Sequence, residues 1–234
     1  MTDPIEAIAF YVVFVFSVTV HEASHALAAK LGGDLTAYHG GQVSIDPVPH
    51  MRREPFGMVI LPILSVAISG WPFGYASAPY DPAWAERHPK RAAWMALAGP
   101  ASNLGLVVVA GILVRAGMLA GLFEAPPSVH FTRITGMAAG APEWASALAL
   151  LLSIFFSMNL LLCVLNLIPF PPLDGSGALP LVLPERWLEG YRSLVHQPIA
   201  ALIGIVIVWN VIGEIFFPCL FLAIDLLYPE VRYG

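Results

Sequence analysis

Apolar positions run almost unbroken through four long stretches of this chain: Ile5–Leu31, Ala92–Met118, Trp144–Ile168 and Pro198–Leu227. Each is longer than the roughly 20 residues a helix needs to cross a bilayer, so each is predicted to be a transmembrane helix. A fifth stretch, Phe56–Gly74, is apolar but interrupted by Pro62, Gly70, Pro72 and Gly74. Lys30, Arg52 and Arg53 precede it, and Arg87, Lys90 and Arg91 follow it. Short loops rich in Lys and Arg stay cytoplasmic. Both flanks therefore fall on one side, and Phe56–Gly74 reads as a re-entrant or broken helix, with a full crossing as the alternative. Backbone broken at that depth is tolerable only where it lines protein or a wet cavity.

The intervening segments are short. Within Thr36–Pro49, Val43 and Ile45 alternate with polar neighbours, which predicts a short strand or hairpin. Leu119–Pro142 is a connector, expected on the exoplasmic side. Pro169, Pro171 and Pro172 cannot continue the helix before them. Gly175–Gln197 reads as a loop, amphipathic around Ala178–Leu188. The expected fold is all-α and polytopic, with about four to six transmembrane or re-entrant helices and a short membrane-associated β-element. It forms one domain over residues 1–234, with a core at 5–175 and a C-terminal membrane segment at 198–227.

Composition agrees with this pattern. The chain is 58% hydrophobic and 12% charged, against about 25% charged in soluble domains. Net charge is −5 with no basic run, which excludes a nucleic-acid footprint. Cys163 and Cys219 fall in apolar segments and read as small buried core residues. The first residues carry acids rather than a basic leader, so the first helix is expected to be retained and to serve as the insertion signal.

One polar cluster interrupts the first apolar stretch: His21-Glu22-Ala23-Ser24-His25. Residues four apart share a helix face, so both imidazoles can bind one Zn²⁺, and the intervening Glu22 can act as general base on a metal-activated water. A hydrolytic zinc site keeps three protein ligands and one open position. The acids available at membrane depth for the third place are Asp174, Glu214 and Asp225. If the first span runs inward, parity makes the span ending at Ile168 run inward too. Asp174 then meets the histidines near the same leaflet, so charge and parity favour it and put the site near the cytoplasmic side.

Three motifs make the chain resemble the site-2 protease family of intramembrane zinc metalloproteases. They are His21-Glu22-Ala23-Ser24-His25, Ala98-Gly99-Pro100-Ala101-Ser102-Asn103 at the start of a later helix, and Asn166-Leu167-Ile168-Pro169-Phe170-Pro171-Pro172-Leu173-Asp174-Gly175. The resemblance implies His21, His25 and Asp174 as ligands of one zinc per chain, and Glu22 as general base. It gives Asn166 the task of orienting the substrate backbone or stabilising the oxyanion. Gly99 and Pro100 would shape the helix start beside the site, Asn103 would hydrogen-bond nearby, and Pro171 would help free Asp174 to face the metal. It also implies a transmembrane protein or peptide as substrate, unwound and added as a strand to a β-element between the first two motifs. The chain resembles a compact form, without the peptide-binding or nucleotide-sensing domains of larger relatives. Substrate identity, gating and oligomeric state stay open.

Rival readings are a catalytically silent metal- or client-binding membrane protein, an ion transporter, and a membrane protease whose third ligand is a downstream Glu. An intact Glu22 argues against the first, the lack of repeated halves against the second, and the lack of a suitable downstream acidic motif against the third. His39, His50, His88, His130 and His196 read as solvated or interfacial. Glu214, with Asn210 one turn earlier, reads as an interhelical packing residue. Water access is expected at Phe56–Gly74 and at the proline-rich turn.

Overall fold

A computed structural model describes residues 3–195 and 197–233. His196 lies outside the described residues. Helix α1 spans Pro4–Gly32. Asp3 caps it by accepting from the Ile5 amide at 2.9 Å, and Gly33 ends it in the left-handed region at φ 98°. Short helices α2 (Thr36–His39) and α3 (Pro47–Arg53) follow. A π-helical turn at Phe56–Ile60 runs into α4 (Leu61–Ser69). After an unbent, non-helical run from Pro72 to Tyr80 come α5 (Pro82–Arg87) and α6 (Pro89–Leu119). Strands β1 (Phe123–Glu124) and β2 (Gly136–Met137) pair antiparallel in the connector, with Phe123 opposite Met137. Then come α7 (Trp144–Leu167), α8 (Asp174–Ala178), α9 (Glu185–Val195) and α10 (Pro198–Leu227).

Among the described residues, four helices are long and apolar enough to cross a membrane: α1, α6, α7 and α10. The apolar helix Phe56–Ser69 is shorter and falls below the roughly 20 residues of a crossing. Helices α1, α6 and α7 pack mutually, and α10 lies against α7. Of the four, α7 is the most enclosed and α10 the least. One apolar cluster joins α6, α7 and α10 through Val107, Phe156, Phe216 and Ile224. A second joins α1, the 56–69 element and α7 through Phe14, Met58, Val66 and Met158. The connector is fastened to this frame: Ser153 Oγ accepts from the Ile134 amide at 2.9 Å, and Tyr228 donates to the Ile134 carbonyl at 3.0 Å.

Four expectations are corrected. No strand forms in residues 36–49: Asp46 caps α3 by accepting from the Val48 amide, and Pro47 sits in its first turn, so a helix starts there. Ile45 is 71% exposed, so the alternation has no face to bury. The two-stranded element lies instead at 123–137. Gly175–Gln197 is largely helical, in α8, a 3₁₀ turn at Leu179–Leu181, and α9. His50 is buried rather than solvated, with Nε2 3.0 Å from the Ser44 carbonyl. Glu214 is exposed on α10 and packs between no helices. Cys163 is buried and Cys219 half-buried, both as free thiols.

One carboxylate fixes how α6 enters the bundle. Asp34 Oδ1 accepts from the Thr36 amide at 2.9 Å and from its hydroxyl at 2.6 Å, and Oδ2 accepts from the Asp81 amide at 2.8 Å. Trp84 and Arg91 both donate to the Gly32 carbonyl at 3.1 Å. The end of α1 is thereby tied to α5 and the start of α6. Burial pushes the Asp34 carboxyl up, but the hydrogen bonds from Thr36 and Asp81 outweigh it and hold it below the usual carboxylate range. A carboxyl depressed on folding stabilises above its unfolded pKa, about 3.9, and that contribution is lost as pH falls. Asp34→Ala is expected to cost about 1–3 kcal/mol near neutral pH. Its deficit against the wild type in thermal unfolding should shrink as pH falls below about 4. A pH-independent deficit would show that the carboxylate charge is not involved.

Candidate metal centre

His21 and His25 lie one turn apart on α1, and their Nε2 atoms are 3.0 Å apart. Each Nδ1 is anchored elsewhere. His21 Nδ1 lies 2.6 Å from Asn103 Oδ1, and His25 Nδ1 lies 2.7 Å from the Met95 carbonyl. Both partners are oxygens that only accept, so each Nδ1 carries its proton and each Nε2 is left with a lone pair. The Asn103 orientation is itself fixed, because its Nδ2 donates to Asn159 Oδ1 at 2.8 Å and toward the Ser17 carbonyl at 3.4 Å.

Asp174 reaches the same point from the opposite wall. Its Oδ2 is 2.9 Å from His21 Nε2 and 3.3 Å from His25 Nε2. Two lone pairs and a carboxylate at these separations repel unless a positive charge lies among them. A tetrahedral ion with bonds of 2.0–2.1 Å needs ligand atoms about 3.3 Å apart. The triangle of 2.9, 3.0 and 3.3 Å is close to that size. The donor set therefore fits Zn²⁺.

Glu22 is buried beside the pair, with a carboxylate oxygen within 4.8 Å of a ring nitrogen of each histidine. It is one residue out of step with the His21–His25 stripe, and Asp174 already faces both histidines. Glu22 instead lines a cavity of about 360 Å³ together with His25 and Asp174. The far wall is Ala76, Ser77, Ala78 and Tyr80, and the floor includes Met95 and Ala96 of α6. The cavity is bounded by residues 76–80 and by Pro172 and Leu173 of the proline-rich turn, just beyond the Phe56–Gly74 element.

The second motif sits inside α6 rather than at its start, because Pro89 opens the helix earlier. Gly99 is where α6 crosses the histidines: a Cβ there would overlap Nε2 of both His21 and His25. Pro100 is buried in the helix interior and has no N–H, which deprives the Ala96 carbonyl of its usual partner. Pro171 is half-buried in the turn before Asp174. Asn166 is not brought into the cluster. It is half-buried near the end of α7, without a hydrogen-bond partner among the described residues.

Sequence reasoning did not reach Asn159, Ser17 or Met95. Asn159 is fully buried; its Nδ2 donates to Ser17 Oγ at 2.9 Å while its Oδ1 holds Asn103. An amide in the middle of an apolar span was the available signal, since polar groups at that depth are costly unless paired.

The model of peptidase family M50 matches residues 9–211. A Bacillus subtilis protein named "Putative zinc metalloprotease YwhC" is 27% identical over 187 residues, 80% of this chain and 72% of that protein. A Mycolicibacterium smegmatis protein named "Putative zinc metalloprotease Rip2" is 29% identical over 173 residues. That alignment covers 74% of this chain and 56% of that protein. No solved structure matches the chain significantly.

The outer shell makes two variants informative. Asn103→Ala removes the acceptor that sets the His21 tautomer and should lower zinc affinity about 10–100-fold. Gly99→Ala places a methyl on the donor atoms and should lower it further. Competition with a chromogenic chelator measures both, with helical circular dichroism as the control. Unchanged affinity in Gly99→Ala would mean that the donors are not gathered at this crossing.

Proposed function

The chain belongs to peptidase family M50, the site-2 proteases, and we propose that it is a zinc-dependent endopeptidase that cuts transmembrane segments within the bilayer. The observation that carries this reading is the shared point of His21, His25 and Asp174 with Glu22 beside it on the wall of a cavity. His21, His25 and Asp174 would hold one Zn²⁺, which supplies Lewis acidity to a water and to the scissile carbonyl. Glu22 accepts the water's proton as the carbonyl is attacked and delivers it to the leaving amine. Asn103 and the Met95 carbonyl keep both imidazoles in the ligating tautomer through the cycle.

The substrate is an unwound strand laid along residues 76–80. Among the described residues, the amides of Ala76, Ser77, Ala78 and Tyr80 donate to no backbone group. The run has no turn or bend and lines the cavity that Glu22 faces. Such an edge supports strand addition, in which main-chain pairing holds the peptide and side-chain pockets select it. Asn166 keeps its amide free to orient the substrate backbone. Basic residues Arg52, Arg53, Arg87, Lys90 and Arg91 flank the cavity-lining run, which supports a site toward the cytoplasmic face.

The alternative is a silent metal- or client-binding membrane protein, and two variants separate the readings. Glu22→Gln should lower cleavage of a transmembrane peptide by at least about 10²-fold while zinc content stays near that of the wild type. Asp174→Asn should lower both zinc content and cleavage. Comparison of membrane-derived peptides in cells carrying the wild type or Glu22→Gln identifies substrates. Equal peptide sets, with zinc bound in both proteins, would leave the silent metal-binding reading in place.

A further inference from the structure

A second cavity, of about 610 Å³, lies between α7, α10 and the chain at 71–74. Its size is that of a ligand pocket. Its walls are Leu161 and Leu165 of α7, Val208 and Ile212 of α10, and Trp71 and Phe73, and no charged side chain lines it. Phe73 and Trp209 stand at its rim, with ring centroids 5.8 Å apart and both rings exposed. Nothing in the mechanism above uses it.

Two features join this cavity to the metal centre. Pro172 and Leu173 line both cavities, and the next residue is Asp174. The chain from Trp71 to Tyr80 also serves both, with 71–74 on the apolar cavity and 76–80 on the one Glu22 faces. From Phe73 to Ser77 is four residues, at most about 14 Å of chain. A peptide lying along this run therefore meets two unlike surroundings within a few residues. At Glu22 and Asp174 it meets polar groups, and a few residues away it meets only hydrocarbon and aromatic rings.

The geometry points to a specificity pocket: the apolar cavity takes bulky aliphatic or aromatic side chains of the substrate, about three to five residues from the scissile bond on its membrane-embedded side. This rests on the endopeptidase reading. The occupant is the substrate rather than an acyl chain or a second copy, because the cavity shares Pro172 and Leu173 with the one that Glu22 lines. A pocket that loses apolar contacts discriminates by about tenfold or more per group removed. Cleavage should then be chosen by the apolar side of the bond and tolerant on the polar side.

The test uses the full zinc-loaded chain in nanodiscs and a transmembrane peptide varied singly through Leu, Phe, Ala and Ser around its mapped cleavage site. The wild type should favour Leu or Phe over Ala at one of these positions by at least about tenfold in kcat/KM. Ile212→Trp, which narrows the cavity, should shift that ratio toward Ala, and Ile212→Ala should shift it toward Phe. A second arm walks a benzophenone side chain along the same peptide, bound to Glu22→Gln, and maps the crosslinks. Crosslinks at Leu161, Val208 or Ile212 are expected. Cleavage with a flat profile, or a ratio unmoved by Ile212→Trp, overturns the pocket and leaves the protease reading standing. Crosslinks in the cavity without cleavage by the wild type leave the pocket standing and remove the protease reading. Neither cleavage nor crosslinks removes both.

Discussion

The hydrogen bond between His21 Nδ1 and Asn103 Oδ1, 2.6 Å long, sets conditions that much of the molecule meets. It leaves the His21 lone pair on Nε2, the atom that would ligate a metal in the proposed function. It also requires a carboxamide to be fully buried among apolar helices, where an unpaired polar group costs several kcal/mol. Asn159 and Ser17 satisfy the rest of that amide, so one polar thread runs from α7 through α1 and α6 to the donor atoms. Removing a link leaves a buried donor or acceptor with no water to replace it. That asymmetry makes the thread a constraint on all three helices at once.

Such a short contact between side chains of different helices requires the backbones to approach closely. Gly99 allows this where α6 crosses the histidines, because a methyl would occupy the space of the ligating nitrogens. Gly204 plays the corresponding part on the other side: a Cβ there would overlap the Pro171 carbonyl, so α10 can lie against the turn that presents Asp174. The outer faces of the helices carry exposed Ile, Leu and Val. The tie from Asp34 to Asp81 acts earlier in the chain. It fixes where α6 begins, and so where Gly99 and Asn103 fall along α1.

Much of this was legible in the sequence. The four long helices follow from apolar runs longer than a bilayer needs, and their ends fall within a few residues of the expected ones. The His21–His25 pair follows from helical periodicity, and parity set Asp174 against it from charge alone. Other features depended on competing local terms. The alternation of Val43 and Ile45 predicts a strand only where one face is buried, and the Asp46–Pro47 helix start overrode it. Helix α6 begins at Pro89, three residues before the expected Ala92, because proline can open a helix whose first turn is polar. Asn159 escaped because one amide in a span carries no partner information. Its role exists only through Asn103, 56 residues away in the chain.

On the proposed function, water and hydrocarbon must both reach the same peptide. Hydrolysis needs water at Glu22, whereas a transmembrane segment brings apolar side chains that lose nothing by avoiding it. The fold separates these demands by a single turn. Pro169, Pro171 and Pro172 follow the end of α7, and Leu173 lines both the cavity that Glu22 faces and the apolar one, with Asp174 next in the chain. A helix continuing through 168–173 would pair those carbonyls internally and carry Asp174 past the histidines. The prolines deny that continuation, which is why one short turn can close the metal triangle on one side and bound a hydrocarbon pocket on the other. If both proposals hold, selection of the substrate and access of water are set by the same few residues.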